Sequence, residues 1–319
     1  MKTCVTCLVV IFYCLSFIDA AFRCDYKFSM VAKAWFKHFI IPATWADARL
    51  RCTLEGSVLA SPINADIEAE MTHIMDNFFS SKSEIFTGIH ATFSQGDYHT
   101  IEGIPLSQIP LAWAENEPNN EGNKESCVTF NSNGDLADRS CEETRPYICY
   151  SPDLPDEQVN ACGTTDSEYR LDSRTNSCYK FHTVPRNFER ANFACSAEGG
   201  HLAIINSETE AKVIKELFAR YPGSKMLGHF WKDVAYIGFS DWGERGDWRT
   251  IHGQKLWEAG YAKFSGGEPN NATSGEYCGS VYRSALLNDL WCENRYAFIC
   301  EKKPDYPAVC RALPDESNH

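Results

Sequence analysis

Two stretches of the 319-residue chain carry the same oxygen-rich tripeptide, Glu117-Pro118-Asn119 and Glu268-Pro269-Asn270. Each lies ten residues before a cysteine, Cys127 or Cys278, and in each a second carboxylate, Glu125 or Glu276, follows eight residues after the first. An aspartate, Asp138 or Asp289, then falls shortly before the next cysteine, and Asn288 stands directly ahead of the second of these. Brought together, Glu268, Asn270, Glu276, Asn288 and Asp289 offer carboxylate and amide oxygens only. Such a set suits calcium, which accepts six to eight oxygens at ~2.3–2.6 Å in flexible geometry, whereas zinc prefers nitrogen or sulfur. Acidic loop residues are ordinarily just solvated. Recurrence of the same set at the same spacing, beside cysteines, marks these as ligands, and the first copy offers Glu117, Asn119, Glu125 and Asp138.

The elements that position them are also written twice. Cys127, Cys141 and Cys149 repeat the spacing of Cys278, Cys292 and Cys300, each triplet preceded by a further cysteine, Cys52 or Cys195. Pro42-Ala-Thr-Trp45 and Pro185-Arg-Asn-Phe188 each open a segment that reaches that cysteine ten residues after the proline, then Glu-Gly. The chain is a duplication. Trp45, Ala48, Leu50 and Cys52, like Phe188, Ala191, Phe193 and Cys195, predict a helix docking one face and ended by Gly56 or Gly199. Residues 63–79 and 207–220 predict second amphipathic helices, the latter opened by a capping box of Ser207 and Glu210. Phe86-Thr-Gly-Ile89 and Tyr236-Ile-Gly-Phe239 read as buried strands, followed by long Gly-, Asn- and Ser-rich loops and closing strands at 146–149 and 297–300. Two helices on a small antiparallel sheet with a large loop region is an α+β unit.

Composition fixes the surroundings. Lys+Arg total 30 against 43 Asp+Glu, and a net charge of −13 excludes a general electrostatic grip on nucleic acid or anionic lipid. Residues 1–20 read as a secretory signal peptide, with Lys2 before an apolar run from Cys4 to Ile18 and Ala20 at the cleavage position; the alternative, a membrane anchor, needs a longer run. Cleavage removes Cys4, Cys7 and Cys14 and leaves twelve of the fifteen cysteines for disulfides in an oxidising, extracellular setting. Because equivalent pairs should recur, the duplication assigns Cys52–Cys149 and Cys127–Cys141 to the first unit and Cys195–Cys300 and Cys278–Cys292 to the second. Cys162–Cys178 closes a hairpin of the second unit, where the first has Trp35 in place of Cys178. Cys24 and Cys310 stay open, bonded to each other or linking two chains. The expected organisation is a signal peptide (1–20), one domain (21–150), an acidic proline-rich linker (151–161), a second domain (162–302) and a frayed tail (303–319). No His-Glu-x-x-His pair, Gly-x-Ser-x-Gly elbow or phosphate-binding loop is present, which argues against an enzyme. His201 reads as packed or surface, and Trp242, Trp248, Trp257 and Trp291 as structural rather than as a stacking platform.

On the cysteine order, the two-helix opening, the Tyr236-Ile-Gly-Phe239 segment, the Glu-Pro-Asn tripeptides and Asn288-Asp289 before Cys292, the chain resembles the C-type lectin family, and specifically the tandem two-domain immulectins of insect haemolymph. The resemblance covers nearly the whole mature chain and implies two tandem C-type lectin domains with Ca2+ as the cofactor, complete in its ligand set in the second domain and left open in the first. It implies cis Pro118 and Pro269, sugar hydroxyls bound directly by calcium, and hydrogen bonds to those hydroxyls from Glu268, Asn270, Glu276 and Asn288. Glu-Pro-Asn implies mannose, glucose or N-acetylglucosamine rather than galactose. Microbial glycans and lipopolysaccharide are the implied partners, together with haemocyte-surface or immune-cascade proteins, in agglutination or opsonisation from the haemolymph. The first domain departs from the pattern at Ala137, where an Asn is wanted, which implies weaker recognition there. Ser126 and Tyr277 stand where auxiliary calcium sites use an acid. Asn271-Ala-Thr273 is an N-glycosylation sequon beside the site. The competing reading is a sugar-independent protein-binding module of the same fold, which chelation of calcium would leave active.

Overall fold

The computed structural model describes residues 21–80, 83–152, 159–226, 228–241, 246–272 and 275–311. The proposed signal peptide, most of the linker, Trp242 and Thr273 therefore lie outside the described residues. Two α+β units follow one another with the same plan. In the first, strand Ala34–Ala43 pairs antiparallel with Arg145–Pro152, which runs parallel beside Glu84–His90; this pairs with Glu125–Asn131, then Asp135–Ser140. In the second, Ser177–Arg186, Tyr296–Lys302, Val234–Ser240, Glu276–Tyr282 and Leu287–Trp291 repeat that order. The central strand is covered on both faces, so Val234–Ser240 is buried along its whole length and reads as a continuous apolar run instead of an alternating one. Gly88 and Gly238 interrupt these runs because a Cβ there would sit 2.6 Å and 2.3 Å from the carbonyls of Leu59 and Leu202.

Among the described residues four α-helices pack on the sheets. Helix α1 (Trp45–Leu54) is capped by Thr44 and α2 (Ala65–Phe78) by Asn64; α3 (Phe188–Ala197) is capped by Asn187 and α4 (Glu208–Ala219) by Ser207. Each cap side chain accepts the backbone N–H three residues on, satisfying a donor the helix itself cannot. The capping box in α4 closes differently from expectation. Ser207 accepts the N–H of Glu210, but the Glu210 carboxylate returns to Asn206 N and to the Tyr179 hydroxyl. Leu50 and Phe193, expected on the docked faces, are only half-buried. They fall five residues after Trp45 and Phe188, off the stripe made by Trp45, Ala48 and Cys52. Phe193 instead lies under the Arg51 guanidinium of the other domain, 5.5 Å from its ring centre.

The four disulfides assigned by the duplication form, and so does Cys162–Cys178 of the second unit. Trp35, standing where the first unit lacks a cysteine, is buried against Phe28 and Phe22. The open pair resolves as Cys24–Cys310 within one chain. The expectation of a frayed tail is corrected with it as far as Arg311; residues 312–319 lie outside the described residues. Strand Val309–Arg311 pairs antiparallel with Ala21–Arg23, Cys24 donates its N–H to Ala308 O, and Arg23 Nη1 donates to Ala197 O of the second domain at 2.8 Å. A three-residue strand carries no readable periodicity, and its partner lies at the other end of the chain.

Candidate functional site

In the second domain the loop before strand Glu276–Tyr282 delivers Glu268-Pro269-Asn270, and the neighbouring strand Leu287–Trp291 delivers Asn288 and Asp289. The Cys278–Cys292 bridge ties the two strands together. Asp289 is the hub. Almost wholly buried, it accepts Asn270 N at 3.2 Å on one oxygen and Asn271 N at 2.7 Å on the other. The Glu268–Pro269 bond is cis, and Asn271 holds the left-handed region with φ 45°. Its Oδ1 accepts Gly275 N at 2.7 Å and Glu276 N at 3.0 Å, while Glu276 Oε2 accepts Ala272 N at 2.9 Å. Asp289 lies within electrostatic reach of both Glu268 and Glu276.

Such a cluster is electrostatically unfinished. Burial, followed by the Asp289 charge, pushes both Glu268 and Glu276 above the ordinary carboxyl range. Glu268 Oε2 is buried without a hydrogen-bond partner, and Oε1 accepts the Tyr282 hydroxyl at 3.4 Å. A buried carboxylate oxygen without a donor is costly unless a positive charge meets it. The donor set is all oxygen, so the residues fit calcium. Asn288 is buried beside Asp289 and its amide nitrogen donates to Ser280 Oγ and to the Asp289 carbonyl, so in this structure that nitrogen serves the protein interior. Asn270 is exposed and its Oδ1 accepts Ala272 N.

The first domain builds the same frame. Asp138 is fully buried and accepts Asn119 N, Asn120 N and the Tyr98 hydroxyl, all at 3.0 Å. The Glu117–Pro118 bond is cis, Asn120 has φ 46°, and its Oδ1 accepts Glu125 N at 3.2 Å. Glu125 Oε2 accepts Glu121 N, and ligand oxygens of Glu117, Glu125 and Asp138 lie within 4.8 Å of one another. Two features separate it from its sister. Ala137 contributes no side-chain donor, and Glu117 is already paired, by Arg139 Nη1 on Oε1 and by Asn119 Nδ2 on Oε2, each at 2.8 Å.

Sequence reasoning missed Asn120 and Asn271, the fourth residues of two Glu-Pro-Asn-Asn runs. The doubled Asn was the available signal, since Asn is among the few side chains that accept the left-handed region. Asn271, read as a sequon, is thereby also a backbone brace with its oxygen turned inward. Trp248 packs on Phe239 and Phe264, and the Trp291 ring crowds Gly275, as structural residues do; Trp257 is 68% exposed. His201 is half-buried against His252.

A family model described as the Lectin C-type domain matches residues 41–151 and 184–302. The chain belongs to the C-type lectin family. It is therefore a binding protein of the lectin type and not an enzyme, and domains of this family generally bind calcium. Over 124 residues, 39% of this chain, it is 39% identical to the Hemolymph lipopolysaccharide-binding protein of Periplaneta americana, matching 48% of that protein, so the chain spans about half of this relative's length. It is 33% identical over 132 residues to the C-type lectin lectoxin-Lio1 of Erythrolamprus poecilogyrus, covering 40% of this chain and 74% of that one. Among solved structures, the mouse scavenger receptor C-type lectin carbohydrate-recognition domain is 26% identical, covering 43% of this chain and 96% of its own, with TM-score 0.36. Among the described residues no helix is long and apolar enough to cross a membrane.

Proposed function

We propose that the chain is a secreted, calcium-dependent lectin whose second domain binds mannose-, glucose- or N-acetylglucosamine-type glycans on microbial surfaces, lipopolysaccharide among them. The observation that carries this is the buried Glu268 oxygen without a donor, inside a cluster that offers only oxygens. Glu268, Asn270, Glu276, Asn288 and Asp289 are the residues that hold the ion. Calcium bound there supplies a Lewis acid able to coordinate neighbouring sugar hydroxyls. Asp289 fixes the loop through Asn270 N and Asn271 N, and Glu268 and Glu276 accept hydrogen bonds from hydroxyls that Asn270, exposed at the rim, also meets. A neutral hydroxyl is thus recognised by a chain of net charge −13 without any cationic face.

The microbial side of the reading is supported by the haemolymph relative, and the secreted side by six disulfides, which persist in oxidising compartments. One shallow site binds weakly. Several on one surface gain through effective concentration, which suits agglutination or opsonisation and contact with haemocyte or cascade proteins. The test is a glycan array read with calcium and with chelator. Mannose-type retention that needs calcium is expected; equal retention in chelator overturns the proposal in favour of a sugar-independent binding module.

A further inference from the structure

We propose that Arg139 is a built-in counter-ion that stands in for the metal at Glu117, so that the first domain holds its Glu-Pro-Asn loop without calcium. The guanidinium reaches three oxygen sources at once. Its Nη1 donates to Glu117 Oε1 and to the Asp138 carbonyl, each at 2.8 Å. Its Nε and Nη2 form a bidentate pair with Glu84 at 3.0 and 2.8 Å. A planar fork of this kind is rigid and permanently charged, and it holds a carboxylate more firmly than a lysine would.

The sister domain shows what the pair replaces. Aligned on Cys141 and Cys292, Arg139 corresponds to Leu290; aligned on Gly88 and Gly238, Glu84 corresponds to Val234. Both counterparts are buried apolar residues. Among the described residues no cation pairs with Glu268, whose Oε2 lacks a partner, while the first domain satisfies both oxygens of Glu117. Its remaining two carboxylates are served as well, Glu125 by Glu121 N and Asp138 by two backbone N–H groups and Tyr98. The missing amide at Ala137 and the added guanidinium are separate changes. If the missing amide alone weakened the site, restoring it would restore calcium; if Arg139 occupies the charge, restoration requires removing Arg139.

This inference rests on the calcium reading of the two clusters, and the experiment separates their failures. Calcium is titrated by calorimetry into the full chain and into Glu84→Val/Arg139→Leu, Arg139→Gln and Ala137→Asn variants, with circular dichroism confirming the fold of each. The wild-type chain is expected to bind one calcium, at the second domain. The Glu84→Val/Arg139→Leu pair, which transplants the sister domain's residues, and the gentler Arg139→Gln are each expected to tighten calcium at the first domain at least tenfold. Adding Glu117→Gln should abolish that gain, which places it in the first domain. Ala137→Asn alone should gain nothing. The proposal is overturned if the wild-type chain binds two calcium ions with similar affinity, if neither Arg139 variant gains affinity while folded, or if Ala137→Asn alone supplies the second ion. Were the wild type to bind none, the function proposed above would fail, while a gain in the Arg139 variants would still establish the role of Arg139.

Discussion

At the start of its second helix the first domain buries Ile67 and sets Tyr150 beside the same core, whereas the second domain puts Glu210 and Glu301 in those places. Around the Glu-Pro-Asn loop the exchange runs the other way, with Glu84 and Arg139 in the first domain against Val234 and Leu290 in the second. Meanwhile the backbone devices are held in common: the cis proline, the left-handed Asn, the aspartate hub and the side-chain helix caps. The two copies have traded polar pairs for apolar pairs twice, in opposite directions, on one frame. For the Glu84–Arg139 ion pair a joint exchange is the low-cost one, because a single buried charge left without its partner costs several kcal/mol while a whole pair can give way to well-packed apolar residues; Glu210 and Glu301 are like-charged, and burial beside Glu301 raises the Glu210 carboxyl instead. Frame and chemistry can thus diverge independently.

The largest expected effect tests whether the two glutamates do different work. Glu268→Gln removes a charge from an unfinished cluster, so calcium-dependent glycan binding should fall at least about a hundredfold, more than the loss of an outer-sphere partner. In chelator the same variant should melt higher than the wild type, because an unpaired buried charge has gone. Glu117→Gln should behave in reverse, leaving glycan binding unchanged. It should destabilise the first domain by about 1.5–3 kcal/mol, the worth of a hydrogen bond to a charged group. Array binding and melting curves for both variants decide it, and like signs in the two domains would erase the comparison.

A smaller effect follows from the acid pair. Burial, then the charge of Glu301, raises the Glu210 carboxyl to about 7. A carboxyl raised in the folded state binds its proton more tightly there than in the unfolded chain. Its stabilising contribution is therefore complete below the ordinary carboxyl range and is lost as pH rises through about 7. Second-domain stability should fall between pH 5 and 8 by more in the wild type than in Glu210→Gln, as read from melting temperatures at each pH. Ile67 gives the first domain no such slope. Equal pH slopes for wild type and variant would show that the Glu210 carboxyl is not raised in the folded state.

The sequence made the frame legible because its parts lie close together along the chain. Cysteine spacing, Glu-Pro-Asn and the Ser207 cap are all local patterns, and duplication let each copy check the other. What escaped reading is non-local. Arg139 meets Glu84 from 55 residues away and reads on its own as a solvated charge before a cysteine. Cys24 and Cys310 are separated by 286 residues, with three-residue strands that no periodicity announces. Glu55 and Glu198, seen only as residues before a helix-ending glycine, are buried acceptors for Lys37 with Tyr26 and for Lys180 with Tyr169. The lysines lie on strands and the tyrosines just ahead of strands, where sequence spacing gives no hint of contact.

The smallest expected effect asks whether the shared frame is energetically shared. Asn120 and Asn271 do the same two jobs, taking a left-handed φ and turning Oδ1 onto the backbone N–H that opens the following strand. Glycine takes that φ without strain but offers no acceptor, so Asn120→Gly and Asn271→Gly should each cost about 0.5–1.5 kcal/mol, the net worth of a hydrogen bond. Alanine adds strain to the lost bond, because an L side chain in the left-handed region costs roughly 1–2 kcal/mol. The Ala variants should therefore melt below the Gly variants by a similar margin in both domains. All four are measured in chelator, so that metal affinity does not enter. Either change at Asn271 also removes the sequon, so comparing the mass of the secreted protein before and after reads whether that side chain carries a glycan. A penalty at Asn271 matching that at Asn120 would assign the second Asn of each Glu-Pro-Asn-Asn run to backbone geometry. A penalty confined to one domain would mean that even the loop frame has begun to diverge.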